Sequence, residues 1–180
     1  MRDSSAHAAD RGGVRMTRYI AAAAVLLATA ALAGPDEVAL PDGYQERFVN
    51  YLDVDRLDRN RVRKMYVSPE AHAAAQAGAP LPDGTVLIME DHDAQIGADG
   101  APMFGADGRL IALEPVVNIF VMETNAAWST ANETWDYAWY LPDGSPRPDA
   151  SFDGCFSCHA SRAERDYTFT YWTFLRDRAE

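Results

Sequence analysis

The sequence predicts an α+β fold, a single domain in which an antiparallel β-sheet carries flanking helices. Two observations lead there. Four short apolar or aromatic runs, at 62–67, 85–90, 116–122 and 135–141, are separated by Asp-Gly and proline turn signals. Helical signals are few and short, so four long amphipathic helices of a bundle are absent. No internal repeat, linker or second domain is evident.

Taken in order, Tyr44, Phe48 and Leu52 stand at i, i+4 and i+8 behind Asp42. This predicts an amphipathic helix that ends in the charged run from Asp53 to Arg61. Val62–Val67 reads as a strand. Ser68-Pro69-Glu70 opens a helix, with serine as N-cap and proline at the first position, running through alanines to Gly78. Pro80, Pro82 and Asp83-Gly84 turn the chain into a strand over Thr85–Glu90. The stretch from Asp91 to Arg109, rich in Asp, Gly and Ala, reads as a hairpin or surface loop. Val116–Met122 is a strongly apolar strand, and Trp135–Leu141 is another, with aromatics at 135, 137 and 139 on one face. Tyr167, Phe169 and Tyr171 alternate as a last strand before a short C-terminal helix.

The N-terminal region has a different purpose. Arg15 and Arg18 flank Met16, an apolar run covers Tyr19 to Leu32, and Ala31-Leu32-Ala33 precedes Gly34-Pro35. These are the parts of a secretory signal peptide, residues 1–33, cleaved after Ala33. The run of about 14 residues is short of the roughly 20 that span a bilayer. Residues 1–15 read as an over-called start. The folded domain is then 34–180, located in the periplasm, with no membrane attachment after cleavage. With 27 acidic and 16 basic residues the formal charge is −11 and there is no basic tract, which disfavours nucleic acid and anionic membranes.

Cys155-Phe156-Ser157-Cys158-His159 contains both cysteines of the chain and lies 21 residues from the C-terminus. The spacing suits covalent haem attachment: two thiols add to two vinyl groups and the histidine supplies an axial nitrogen. A disulfide, a redox dithiol and half a zinc site are the alternatives. An exported Cys-x-x-Cys tends to close as a disulfide, but a thioredoxin-like protein places it early. Zinc needs four ligands, and His72 and His92 are not paired in that way. No Met or His follows His159, so a sixth iron ligand has to come from upstream.

Several segments in order resemble the cytochrome P-460 family of exported, β-rich c-type haem proteins. They are Val62-Arg63-Lys64-Met65-Tyr66-Val67-Ser68-Pro69-Glu70, Pro82-Asp83-Gly84-Thr85-Val86, Trp135 to Pro142, and Cys155–His159 with Asp166-Tyr167-Thr168-Phe169-Thr170. The resemblance implies one covalent haem c per chain on Cys155 and Cys158. It implies His159 as proximal ligand, an open opposite iron face and, usually, a homodimer. Members oxidise hydroxylamine or bind nitric oxide, so the implied partners are a small diatomic or nitrogen-oxide ligand and a redox partner protein. The enzymes of the family add a lysine cross-link to the haem from the strand after Asp-Gly-Thr. An ungapped match puts Met89 at that position, and the only lysine, Lys64, stands in another strand.

The remaining candidates form the expected ligand pocket. Arg63 matches a distal arginine, whose guanidinium donates hydrogen bonds to a bound nitrogen–oxygen ligand; otherwise it pairs with an acidic neighbour or a haem propionate. Asn118 interrupts an apolar strand on the face of Val116, Phe120 and Met122, either lining the pocket or lying at an edge. Phe120 caps the pocket or packs in the core. Met89 is a core methionine or a thioether near iron. Trp135, Tyr137 and Trp139 read as packing, and His72 and His92 as solvent-exposed. The implied function is a periplasmic haem c protein, five-coordinate, that binds or transforms small nitrogen oxides. The alternative is an electron-transfer or gas-binding cytochrome without turnover.

Overall fold

The computed structural model describes residues 37–178; the expected signal peptide and over-called start lie outside the described residues. Helix α1 (Tyr44–Arg47) leads into strands β1 (Val49–Arg56) and β2 (Arg61–Val67), then helix α2 (Pro69–Gln76). Strands β3 (Val86–Asp93), β4 (Asn118–Thr124) and β5 (Trp135–Tyr140) follow, then helices α3 (Asp153–Ala160) and α4 (Thr170–Arg178), joined through a 3₁₀ turn at Ala163–Arg165. The five strands pair antiparallel in chain order, β1-β2-β3-β4-β5. The α+β expectation is therefore met, and no helix among the described residues is long and apolar enough to cross a membrane.

The sheet buries both faces. On one, here the helix face, Val67, Leu87, Met122, Trp135 and Tyr137 pack against α2, α3 and α4 through Ala71, Cys155, Phe156 and Tyr171. On the reverse face, Tyr66, Ile88, Ile119, Val121 and Ala138 pack with Val38 and Tyr44. Residues alternate between the two along each strand, because successive strand side chains point to opposite sides.

Three expected elements are corrected. The helix expected over 44–52 is one turn long, and the chain then enters β1, paired with β2 from Val49↔Val67 to Arg56↔Arg61. Val49 and Tyr51 serve the helix-face core, and a register shift between Asn50 and Leu52 sets Leu52 opposite Met65 on that same side. A bulge of this kind breaks strand alternation, which is why the spacing imitated a helix. The strand expected at Tyr167–Tyr171 is instead a turn feeding α4. Tyr167 and Tyr171, four apart, both reach the helix-face core, and Phe174 and Leu175 extend the helical pattern.

The third correction concerns 96–111, which is an eight-residue tandem repeat, Ile96-Gly97-Ala98-Asp99-Gly100 and Phe104-Gly105-Ala106-Asp107-Gly108 heading the two copies. Each folds as the same turn. Gly97 N–H donates to Ala101 O and Gly105 N–H to Arg109 O, both at 2.8 Å. Asp99 and Asp107 accept from the backbone two residues on at 3.1 and 3.0 Å. Gly100 and Gly108 take left-handed backbone, φ 80° and 75°, which glycine adopts without penalty. Arg109, where the first copy has Ala101, clamps the arm to β1 by two hydrogen bonds to Asp55 at 2.8 and 2.9 Å.

His92, expected at the surface, is fully buried, as is Glu90. Strand β3 runs on to Asp93, so alternation carries both inward from Ile88. Glu90 accepts from Tyr44 and Tyr66 hydroxyls, from Gln45 and from His92 Nε2 at 3.0 Å. His92 Nδ1 faces the Leu113 carbonyl at 3.1 Å. A carbonyl only accepts, and so does a carboxylate, so both ring nitrogens carry protons and the ring is an imidazolium. His72, also expected at the surface, is half-buried with Nδ1 3.2 Å from the Tyr171 hydroxyl.

Burial by itself raises the Glu90 pKa, but donors from His92, Tyr44 and Gln45 outweigh it and hold the carboxyl at about 2. Burial lowers the His92 pKa, and the Glu90 bond more than reverses this, so it stands above the usual 6.5. The Glu90 contribution is thus complete above an unfolded value of about 4.3 and lost as pH falls toward about 2. The His92 contribution is complete below about 6.5 and lost as pH rises through its higher folded value. Urea unfolding should therefore give maximal stability between about pH 4.5 and 6.5. Glu90→Gln should lose roughly 3 kcal/mol, the cost of stranding a buried charge. An unchanged unfolding midpoint in Glu90→Gln at pH 6 would rule the pair out as a stabilising element.

Candidate functional site

Helix α3 carries the Cys-x-x-Cys-His motif and is itself short, with no fully buried residue. It is held from below, where Cys155 and Phe156 reach the helix-face core and Phe156 stands edge-on to Tyr137 at 5.0 Å. Asn132 fixes this contact by donating to the Tyr137 hydroxyl at 2.7 Å and to the Phe156 carbonyl at 3.2 Å. The thiols of Cys155 and Cys158 are not joined to each other; Cys155 is half-buried and Cys158 exposed. Burial, with Cys158 close by, raises the Cys155 pKa, so it is a thiol at neutral pH.

The His159 ring lies 5.0 Å from Tyr137 and 5.1 Å from Phe169, the latter edge-on. Its Nδ1 stands 2.7 Å from the carbonyl oxygen of Tyr167. That oxygen can only accept, so Nδ1 carries the proton. Burial depresses the pKa below its ordinary value and keeps the ring neutral. Nε2 consequently presents a lone pair, the form a metal-binding imidazole takes. The carbonyl is aimed by an unusual turn: Asp166 and Tyr167 both have left-handed backbone, φ 52° and 56°. Trp135 Nε1 donates to Asp166 at 3.2 Å, and Tyr167 N–H donates to the Arg162 carbonyl at 2.9 Å. Tyr167 is a functional position that sequence reasoning missed, because its contribution is a backbone atom.

On the sheet, register sets the remaining candidates in rows. Leu52, Met65, Met89, Phe120 and Trp139 are successive cross-strand partners through all five strands. They share the helix face with Tyr137, two residues before Trp139. Met89, Phe120 and Trp139 are only half-buried, whereas Leu87, Met122 and Tyr137 in the preceding row are buried. A strip of partly exposed apolar side chains therefore extends from beneath His159. Phe120 and Trp139 lie 4.8 Å apart at its end.

Arg63, Asp91 and Asn118 form the next row of partners. Arg63 Nε donates to Asp91 Oδ1 at 2.8 Å, and both side chains are largely buried. Among the described residues only that nitrogen is engaged, which leaves the two terminal amino groups of Arg63. Asn118 accepts from Trp139 Nε1 at 3.0 Å and from Arg147 at 3.2 Å, and the Arg147 guanidinium sits 4.3 Å over Trp139. Arg147 carried no sequence signal, standing alone after a proline turn. Arg63, Met89, Asn118 and Phe120 thus all project from the face that bears the motif.

Lys64 does not. Alternation turns it to the reverse face, opposite Glu90, where it pairs with Glu114 at 3.3 Å. The zinc alternative fares no better, since no group of three His, Cys, Asp or Glu is arranged to hold a metal among the described residues. Two thiols, a neutral imidazole with a free lone pair and an apolar strip on one face fit a flat, iron-bearing macrocycle. No curated protein matches the chain as a relative. The family model of cytochrome P-460 matches residues 41–170, from just before α1 to the first residue of α4. A match of that extent means that the chain belongs to the cytochrome P-460 family, whose members are c-type haem proteins.

Proposed function

We propose that this is an exported, periplasmic protein with one covalent haem c, held by Cys155 and Cys158, with His159 Nε2 as its iron ligand. The sixth position is open to a small nitrogen oxide, nitric oxide above all. The observation that supports this most is the fixed tautomer of His159, with the bond from Nδ1 to the Tyr167 carbonyl leaving the lone pair on Nε2. Haem held by these residues would supply a redox-active iron able to take a small ligand.

The chain's own residues set what reaches that position. Met89, Phe120 and Trp139 exclude water and favour a small neutral ligand over a hydrated one. Arg63 adds donors: Asp91 takes Nε and fixes the plane of the guanidinium, and the terminal amino groups hydrogen-bond a ligand that gathers negative charge on oxygen. Met89 at the expected cross-link position has no amine, and Lys64 lies on the other face of the sheet. Both facts support reversible ligand binding over cross-linked hydroxylamine oxidation. A second reading, an electron-transfer cytochrome, is favoured by the Met89 thioether on the same face as His159. A low-spin spectrum in both oxidation states would select it.

Matured with a cytochrome c assembly system, the periplasmic protein should weigh one haem more than residues 34–180. Cys155→Ala with Cys158→Ala should lose the covalent haem, whereas Lys64→Met should keep the wild-type haem mass and spectrum. A wild-type mass without haem ends this reading, and a Lys64→Met spectrum that differs restores the cross-link. Arg63→Ala should weaken nitric oxide binding about tenfold, the effect of one charge-assisted hydrogen bond of about 1.5 kcal/mol. Unchanged affinity and off-rate would remove Arg63 from the site.

A further inference from the structure

The turn after His159 holds a cation without an acidic partner among the described residues. Arg162 donates from Nη1 to the Ser161 carbonyl at 3.1 Å and stacks its guanidinium 4.8 Å over Phe169. Its Nε is buried and has no acceptor. Arg56, Arg61, Arg63, Arg109 and Arg165 all meet carboxylates. Arg47 and Arg147 also meet no carboxylate among the described residues, but Arg47 donates to the Asp42 carbonyl and Arg147 to Asn118, whereas Arg162 keeps a buried Nε with no acceptor. Buried N–H groups are almost always paired, so this one is open to an acceptor that comes with a bound group; Arg61 Nη1 is likewise without an acceptor, but its guanidinium already meets Asp93.

The surroundings say which group. Arg162 lines a groove of about 450 Å³ with Leu52, Arg165, Phe169, Thr170 and Phe174. Other donors there are engaged: the Thr170 hydroxyl with Tyr51 at 2.8 Å, and Arg165 with Glu164 at 3.3 Å. The groove is otherwise apolar, and Leu52 is also the end of the apolar row that continues to Met89 and Phe120. Cys155 and His159 stand four apart on one side of α3, and Arg162 follows in the turn two residues after that helix ends. Phe169 bridges the last two, edge-on to His159 and beneath Arg162. A porphyrin linked through its vinyl groups carries its two carboxylates on the opposite edge, beyond the iron.

We propose that Arg162 binds a haem propionate, so that the carboxylate edge of the macrocycle faces this groove. The proposal rests on the haem reading above. Its test is a spectroelectrochemical titration of the holoprotein against pH, comparing wild type with Arg162→Gln, Arg162→Lys and, as control, Arg165→Gln. Loss of the cation leaves uncompensated negative charge near the iron, which favours the ferric state. Arg162→Gln should therefore lower the midpoint potential and move its pH inflection upward; Arg165, paired with Glu164, is the other charged residue that lines the groove. Arg162→Lys should fall between, and it carries the test if the glutamine variant does not mature. Arg165→Gln should change little. A haem-free wild type defeats the haem reading itself. With haem present, an unmoved potential and inflection in the Arg162 variants, or an equal shift in Arg165→Gln, overturns the propionate assignment alone. A wild-type potential that depends on added inorganic phosphate, and loses that dependence in Arg162→Gln, would place a free anion in the groove and overturn it too.

Discussion

Strand register in the five-stranded meander decides what this protein can hold. Every strand pairs with its sequence neighbour, so each register is set by one connection: a turn between β1 and β2, α2 and its loop between β2 and β3, the arm between β3 and β4, and a loop between β4 and β5. A one-residue slip would send every side chain of a strand to the wrong face. Arg63 and Lys64 are adjacent, yet one stands beside Asp91 on the helix face and the other pairs with Glu114 on the reverse. Met89 and Glu90 divide in the same way: an apolar site residue on one side, the centre of a buried charge network on the other. Glu90 draws in Tyr44 from α1 and Tyr66 from β2, and His92 reaches the Leu113 carbonyl before β4. A slip in β2 or β3 would strand those charges, which makes the reverse face the lock on the register of the site face.

The proximal side depends on a different constraint. Two consecutive non-glycine residues in the left-handed region, Asp166 and Tyr167, cost of order 1–3 kcal/mol each. They are offset locally by Trp135 donating to Asp166, by Thr168 Oγ1 donating to the Arg165 carbonyl at 2.9 Å, and by burial of Tyr167. What the strained turn delivers is a carbonyl aimed at His159 Nδ1. The sheet supplies the anchor through Trp135 and the packing surface through Tyr137, so the histidine is oriented by the same strand that continues into Trp139.

Much of this was legible in the residues because it rests on local chemistry. Ser68-Pro69 opens α2 where expected, although the serine hydroxyl accepts from Val86 N–H at 3.3 Å instead of capping its helix. Val62–Val67, Val86–Glu90 and Trp135–Tyr140 are strands, and the alternation that separates Arg63 from Lys64 can be read directly. Failures came where one pattern served two structures. Tyr44, Phe48 and Leu52 keep helical spacing because a bulge resets the alternation of β1, and Tyr167, Phe169 and Tyr171 keep strand spacing although the core takes only every fourth residue. His92 was misplaced because an acidic neighbourhood signals surface, and here one of those acids is its buried partner. The Tyr167 carbonyl is beyond any side-chain signal.

Two arginines near the site differ in one respect that decides their use. Arg63 is neutralised by Asp91, so its terminal amino groups offer hydrogen bonds with little net charge. Arg162 meets no carboxylate among the described residues, and its buried Nε stands unpaired beside a largely apolar groove. Exchanging the two environments would be unfavourable. An unpaired guanidinium over the apolar strip would draw water or anions to a face that Phe120 and Trp139 keep apolar. Asp91 thus sets the net charge of the Arg63 end of this face as well as the direction of its free donors.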